Sequence, residues 1–306
     1  MRALLVVNPT ATVTTTRTRN VLTSALDANL KLDVAPTKSR GHARELGEQA
    51  VDAEYDLVVV LGGDGTVNEV INGLLVQGPS PAVPALAIVP GGSTNVFARA
   101  LGITNHPVDA TSELLDALRD GRSRRVGLGL ADDRWFTFSA GLGMDAAALR
   151  RVESQSAKGW RKTSALYIRS SVREYYRAER RRPLLTLTAP GLSSPERLVL
   201  ALVTNTDPWT FVNNRPLRPT PLASFSTGLD LLGMRKLSSA TALRALGQWS
   251  RQKPQPQGPH AVHLHDLPEL SLDSDTPLPF QLDGEPLSER TSVRFRSVPA
   301  ALRIVA

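Results

Sequence analysis

The stretch Asp56–Leu74, DLVVVLGGDGTVNEVINGL, constrains the fold more than any other part of this chain. Its apolar run has no polar alternation, so it reads as a strand covered on both faces, the habit of parallel sheets. The run stops in Gly62, Gly63, Asp64 and Gly65, and a helix follows, predicted over Thr66–Val76. Thr66 and Glu69 have the T-x-x-E spacing of a capping box at its start. Ligands of parallel sheets bind beyond the carboxyl ends of the strands. There the glycines permit positive φ and close backbone approach, and a helix N-terminus adds a positive dipole end. The corner therefore has the character of an anion site. It lacks both the GK[ST] of a P-loop and the GxGxxG of a dinucleotide fingerprint.

The first 125 residues repeat this strand–helix alternation. ALLVV, KLDVAPT, YDLVVVLGG and ALAIVPGG read as strands; helical spacing falls over 17–29, 42–53, 95–101 and 114–120. An open, doubly wound α/β sheet follows from the alternation. VPGGSTNVFARALGI repeats the glycine corner on the next strand, with Gly91, Gly92, Ser93 and Thr94 ahead of a helix, so the two corners are expected to face one cleft.

Residues 126–306 change style. Period-two segments and a turn at Asp132-Asp133 argue for an antiparallel β-sandwich as a second domain, and the closing ALRIVA can return to either domain. Residues 160–182, with a helix predicted from Trp160 to about Arg181, carry eight Arg and Lys against two Glu; the apolar and aromatic stripe is expected to pack on the β-rich domain, with the arginines toward an anionic membrane interface. Residues 252–268, with His260, His263 and His265, read as a Pro-containing solvated connector rather than a metal site.

The net charge of +7 over 306 residues favours an anionic partner. With no binding motif beside the charge, nucleic acid is not expected. Absence of cysteine rules out disulfides and thiolate metal sites. The opening apolar run is too short for a signal peptide, and no stretch reaches the roughly 20 apolar residues that span a bilayer, so a cytoplasmic protein peripheral to the inner membrane face is expected. A homodimer is compatible with all of this.

GGDGTVNEV and PGGSTNVFARALGI, in this order and spacing, resemble the diacylglycerol kinase catalytic family, which includes bacterial lipid kinases and sphingosine kinases. VVNP, TKSRGHARELGEQA, FSAGLGMDAAAL and FQLDGEP extend the likeness along nearly the whole chain. GGDGT by itself is shared with NAD kinases. The resemblance implies an NAD kinase-like first domain, ATP with Mg2+, and a membrane-lipid hydroxyl, such as that of diacylglycerol, as phosphoryl acceptor. It places Asn8, Pro9, Thr37, Gly62, Gly63, Asp64, Gly65, Thr66, Val67 and Asn68 at the nucleotide, with Ser93 and Asn95 from the second corner and Glu285 near the phosphates or their metal. It makes Asp283 the first candidate for catalytic base and Asp64 the second, and Asp283→Asn a variant that loses turnover and keeps its fold. From its residues alone, Asp283 is a β-turn aspartate before glycine.

Three positions depart from the family pattern. Thr10-Ala11-Thr12 stand where a glycine is usual, and Val96 replaces an aspartate. Thr227 stands where the bacterial branch uses an aspartate for a structural magnesium, while Asp230 nearby is kept. Other readings are an NAD kinase-like phosphotransferase with a soluble substrate and a nucleotide-binding relative without catalysis.

Overall fold

The computed structural model describes residues 1–11, 15–143, 184–212, 214–236, 238–252, 254 and 258–306. Two compact units emerge, Met1–Leu128 with Pro299–Ala306, and Gly129–Val298. The helix expected from Trp160 lies outside the described residues, as does Thr12.

In the first unit the apolar runs become strands β1 (Arg2–Val7), β2 (Lys31–Pro36), β3 (Leu57–Gly62) and β4 (Ala85–Pro90). They pair in parallel in the order β2-β1-β3-β4, and Ile304 near the chain end pairs in parallel with Leu86 on the far side of β4. This is the doubly wound order whose switch point, where strand succession reverses, lies between β1 and β3. Helices α1 (Thr16–Asp27), α2 (His42–Asp52), α3 (Asp64–Leu74), α4 (Val96–Ala100) and α5 (Pro107–Arg119) connect them.

Leu22 and Leu26 of α1 and Leu114 and Ala117 of α5 cover Ala3, Leu5, Leu57, Val59, Ala85 and Ala87 on one face. The alternate strand residues Leu4, Val6, Val58 and Val60 are equally buried, on the face where α2 and α3 pack. Both faces are thus covered, as the unbroken apolar run of β3 requires.

Helices α2 and α3 meet through glycine. A Cβ on Gly73 would lie 2.1 Å from Arg44 O, and one on Gly47 2.6 Å from Val70 O. Only hydrogen side chains let these backbones come so close.

The second unit is built from antiparallel pairs. The chain enters it along β5 (Arg124–Ala131), which turns at Asp132-Asp133 into β6 (Arg134–Phe136), followed by β7 (Ser139–Gly143). Next come β8 (Leu185–Thr188), β9 (Glu196–Leu198), β10 (Leu200–Thr204), the small pair β11 (Thr210–Val212) and β12 (Arg215–Leu217), and β13 (Leu229–Met234). Helix α6 (Ser239–Trp249), β14 (Ala261–Leu267), β15 (Glu269–Leu282) and β16 (Glu285–Ile304) complete the chain. The order across the sheet is β14-β13-β10-β7-β15-β16. Its core joins Leu142, Leu187, Val203, Leu231, Phe280 and Phe295, with the Phe136 and Phe295 rings edge to face at 6.2 Å.

Several sequence expectations need correction. Helix α3 starts at Asp64, two residues earlier than expected, with Gly63 as its N-cap and no side-chain cap. Thr66 therefore lies inside the first turn, and no Thr66–Glu69 capping box forms. Helix α5 begins at Pro107 rather than Leu114; its first buried positions are Pro107, Ala110 and Thr111, which show no apolar stripe in the sequence. Part of the expected connector is strand β14, paired along β13, so His263 and His265 are strand residues.

Gly73→Ala is expected to lower the unfolding free energy by about 2 kcal/mol or more, since a backbone oxygen cannot retreat from the new methyl. Gly247→Ala, in α6 with open space around it, is expected to raise it by about 0.5–1 kcal/mol through helix propensity. Urea titration of the two variants checks both signs.

Candidate functional site

The carboxyl ends of β1, β3 and β4 bring Asn8, Gly62–Thr66 and Gly91–Asn95 together. The two glycine corners touch directly instead of facing each other across a gap. A Cβ on Gly92 would lie 2.7 Å from Gly63 Cα, one on Gly91 3.2 Å from Gly62 Cα, and Gly91 N–H donates to Gly62 O at 2.8 Å. A Cβ on Gly62 would meet the Thr66 side chain at 2.9 Å. Of the two uses open to these glycines, close backbone approach is the one realised: none has a positive φ, and Gly63 sits at −93°. They are needed for contact, not for turning. The left-handed residue at the second corner is Asn95, with φ 49°.

Asn95 holds its own loop. Its Oδ1 accepts from Gly92 N–H at 2.9 Å, and its Nδ2 donates to Gly92 O at 2.8 Å and to Asn105 Oδ1 at 2.7 Å. Helix α4 has no cap from its own N-cap side chain. Its first N–H groups are met by Asp64 instead, Val96 N–H at 3.0 Å and Phe97 N–H at 3.1 Å. Val96, at the family's aspartate position, is itself buried. The Arg99 guanidinium lies within electrostatic reach of Asp64; burial lowers its pKa, and that carboxylate partly restores it.

Thr66 Oγ1 accepts from Asn8 Nδ2 at 3.0 Å, while Asn8 Oδ1 takes the N–H and hydroxyl of Thr10. Pro9 O accepts from Arg19 at 2.9 Å. Thr37 N–H donates to Val7 O at 2.8 Å, which sets the β2–α2 loop beside β1. Glu69, expected to cap α3, caps α2: Oε1 accepts from Gly41 N–H at 2.9 Å and Oε2 from Ala43 N–H at 3.3 Å. Thus Asp64, Thr66 and Glu69 each bind a different neighbouring loop. Val67 and Asn68 are buried, and Asn68 Oδ1 faces Asn72. Ser93 is exposed.

The helix's own first bond is Val67 N–H to Gly63 O. It therefore supplies no acceptor of its own for the N–H groups of Gly65 and Thr66, at the positive end of α3 beyond the strand ends.

In the second unit, Asp283 and Gly284 form the two-residue turn between β15 and β16, with φ of 48° and 76°. Such Asp-Gly turns match the twist of antiparallel strands. The Asp283 carboxylate is buried against the β6–β7 connection. Oδ2 accepts from Thr137 N–H at 2.7 Å and from its hydroxyl at 2.8 Å; Oδ1 accepts from Phe138 N–H at 2.9 Å and Ser139 N–H at 3.1 Å. Burial raises its pKa, and these four donors oppose the rise. Thr137 is held in turn, its carbonyl accepting from Asn205 Nδ2 at 3.0 Å. Glu285 lies 3.8 Å from Arg134.

Around Asp230, Oδ1 meets His265 Nδ1 at 2.8 Å and accepts from Asp266 N–H at 3.2 Å, and Thr227 donates its hydroxyl to Ser224 O. Among the described residues no group of three His, Cys, Asp or Glu is placed to hold a metal.

Sequence reasoning missed Thr137 and the loop-tying role of Glu69. Their partners lie 146 and 26–28 residues away, beyond any local pattern.

Asp283→Asn is expected to cost stability as well as turnover. An amide would point a donor at Thr137–Ser139 donors. Loss of about 2–4 kcal/mol in urea unfolding is expected, against about 1–2 kcal/mol for Thr137→Val.

Asp207, after β10, carries a different load. Burial raises its pKa to about 6, the Arg218 guanidinium at 3.4 Å pulling it back only in part, and its Oδ1 is buried with no hydrogen-bond partner among the described residues. The folded state therefore holds a proton that the unfolded state has released between about pH 4 and 6. Its contribution to stability falls as pH rises through that window, by about 3 kcal/mol at most. Unfolding curves across pH 4–7 are expected to show this decline in the parent chain and less of it in Asp207→Asn.

Comparison with known proteins bears out the resemblance. The diacylglycerol kinase catalytic domain matches residues 2–131. A diacylglycerol kinase of Bacillus subtilis (strain 168) is 34% identical over 144 residues, 46% of this chain and 46% of that protein. A diacylglycerol kinase of Staphylococcus aureus (strain Newman) is 37% identical over 117 residues, 36% of this chain and 35% of that one. The chain thus spans about half or less of the curated relatives it matches. A crystal structure of a diacylglycerol kinase from Bacillus anthracis str. Sterne superposes with a TM-score of 0.73 at 20% identity, covering 99% of this chain and 96% of that chain. An NAD kinase from Archaeoglobus fulgidus in complex with ATP gives 0.52 at 13%, covering 100% and 94%. At these identities the structures establish the fold: a parallel α/β unit of NAD kinase type followed by an antiparallel β unit.

Proposed function

We propose, for a chain whose residues 2–131 carry the diacylglycerol kinase catalytic domain, that it is an ATP-dependent lipid kinase. It transfers the γ-phosphoryl group to a hydroxyl of a membrane lipid such as diacylglycerol. The observation that carries this reading is the first turn of α3. Its Gly65 and Thr66 N–H groups, for which the helix itself supplies no acceptor, sit at the switch point of the sheet, and three neighbouring loops are tied to side chains of the first two turns. Phosphoryl transfer asks a protein mainly for positioning and charge stabilisation, and this turn offers both.

On this reading Gly63, Gly65 and Thr66 present N–H groups to the phosphates, and Ser93 adds a hydroxyl from the second corner. Asn8, Pro9 and Thr37 contact the nucleotide from their loops, and Asn95 keeps the second corner in shape. The donors fit a polyphosphate. Magnesium, when bound with the nucleotide, neutralises phosphate charge; such sites use one or two carboxylates and several phosphate oxygens, so the lack of a protein cage among the described residues is no obstacle. Glu285 is the carboxylate assigned nearest to it. Asp283 accepts the proton of the acceptor hydroxyl, and a pKa raised by burial suits that task. To do so it exchanges one of its four hydrogen bonds. Asp64 ranks second, because both its oxygens already cap α4. The lipid acceptor places the working protein at the inner membrane face. Among the described residues no helix is long and apolar enough to cross a membrane.

A second reading has an observation of its own. Both candidate carboxylates are fully engaged in structural bonds, as expected of a relative that binds nucleotide without catalysis.

The test is transfer of labelled γ-phosphate from ATP to a lipid panel in mixed micelles, with NAD assayed alongside. Labelled lipid is expected, and Ser93→Ala is expected to reduce kcat/KM for ATP about tenfold, the scale of one hydrogen bond to a charged group. Tight ATP binding with no labelled product would favour the second reading; labelled NAD alone would replace both.

A further inference from the structure

We propose that Glu69 is a positioning residue that sets nucleotide affinity by fixing the β2–α2 loop against the first turns of α3. The inference rests on the nucleotide-binding reading above.

Helix α2 begins after Gly41, a left-handed N-cap at φ 86° that, as glycine, has no side chain to cap the helix's N–H groups. Glu69 takes over, one oxygen on Gly41 N–H and the other on Ala43 N–H. Charge-assisted bonds of this kind at a helix N-terminus are stronger than neutral ones. The loop they close is short and held at both ends. Thr37 N–H is fixed on Val7 O, and within the loop Lys38 N–H donates to His42 Nδ1 at 3.1 Å. Glu69 also sits one turn beyond Thr66, whose hydroxyl holds Asn8. The loops carrying Thr37 and Asn8 are therefore referenced to one face of one helix.

A purely structural role fits the packing less well. Helices α2 and α3 are already locked by backbone contact at Gly47 and Gly73 along the middle and end of α3. That contact does not reach the loop, which Glu69 alone ties to α3 among the bonds described. Removing the carboxylate should leave the helix pair packed and free the loop. Thr37 would then meet the nucleotide from a spread of positions, which weakens binding more than it slows a bound nucleotide.

The experiment compares the parent chain with Glu69→Ala, Glu69→Gln and His42→Ala. It measures the Kd of Mg-ATP by calorimetry, kcat and both KM values in lipid micelles, melting temperature, and amide exchange at Gly41 and Ala43. Glu69→Ala is expected to raise Kd and KM for ATP about tenfold, the scale of lost charged hydrogen bonds. At saturating ATP its kcat and lipid KM should stay within about twofold, its melting temperature within a few degrees, and exchange at Gly41 and Ala43 should accelerate. Glu69→Gln should fall between, its amide oxygen serving one N–H and its NH2 opposing the other. His42→Ala, acting on the same loop by a different bond, should weaken ATP in the same direction. Faster exchange with unchanged ATP affinity overturns this inference and leaves the kinase reading standing. A lowered melting temperature with equal losses for both substrates also overturns it, as the mark of a structural residue. A parent chain that binds no ATP removes the kinase reading and this inference with it.

Discussion

The first turns of α3 are what the first unit is organised around. A parallel sheet delivers several loops to one end but leaves each free to drift. Here three side chains within six residues fix three of them: Asp64 the loop into α4, Thr66 the loop after β1, Glu69 the loop into α2. All three accept hydrogen bonds, and two of them do so as carboxylates. Two negative charges near the proposed anion site look counterproductive. Both, however, are spent on N–H groups of neighbouring helices, and Asp64 has Arg99 within electrostatic reach. The helix itself supplies no acceptor for the N–H groups of Gly65 and Thr66, both of which are proposed to meet the phosphates.

Glycine makes this arrangement possible through its missing Cβ. At Gly62, Gly63, Gly91 and Gly92 the two corners press backbone on backbone, and at Gly47 and Gly73 two helices do the same. The second unit solves a comparable problem with one carboxylate. Asp283 emerges from a two-residue turn and gathers Thr137, Phe138 and Ser139, so the β15–β16 turn and the β6–β7 connection become one element. That load explains how a residue proposed for proton transfer is also a residue the fold needs.

Much of the fold was legible because burial on both faces leaves an unmistakable apolar run, as in Leu57–Leu61, and because an Asp-Asp or Asp-Gly pair between period-two segments marks a hairpin. Elements with weak apolar contrast were harder. Helix α5 hides its first turn behind Pro107, Ala110 and Thr111, and β14 alternates leucine and valine with histidine in a Pro-rich neighbourhood. At the site, residue types pointed to the corner but not to the bonds. Thr66 and Glu69 had the spacing of a local cap and formed two long-range ties instead, because the helix starts at Asp64. Of the two roles the sequence offered the corner glycines, positive φ and close backbone approach, the structure uses the second, and only packing across strands shows which backbone they meet.

A backbone-amide NMR titration with Mg-ATP tests the central claim most directly. The account predicts that saturating chemical-shift changes are largest at Gly63, Gly65 and Thr66 and at Gly92–Asn95, with smaller ones in the loops at Asn8 and Thr37. Saturable binding whose largest changes fall elsewhere, leaving those amides unmoved, would contradict it.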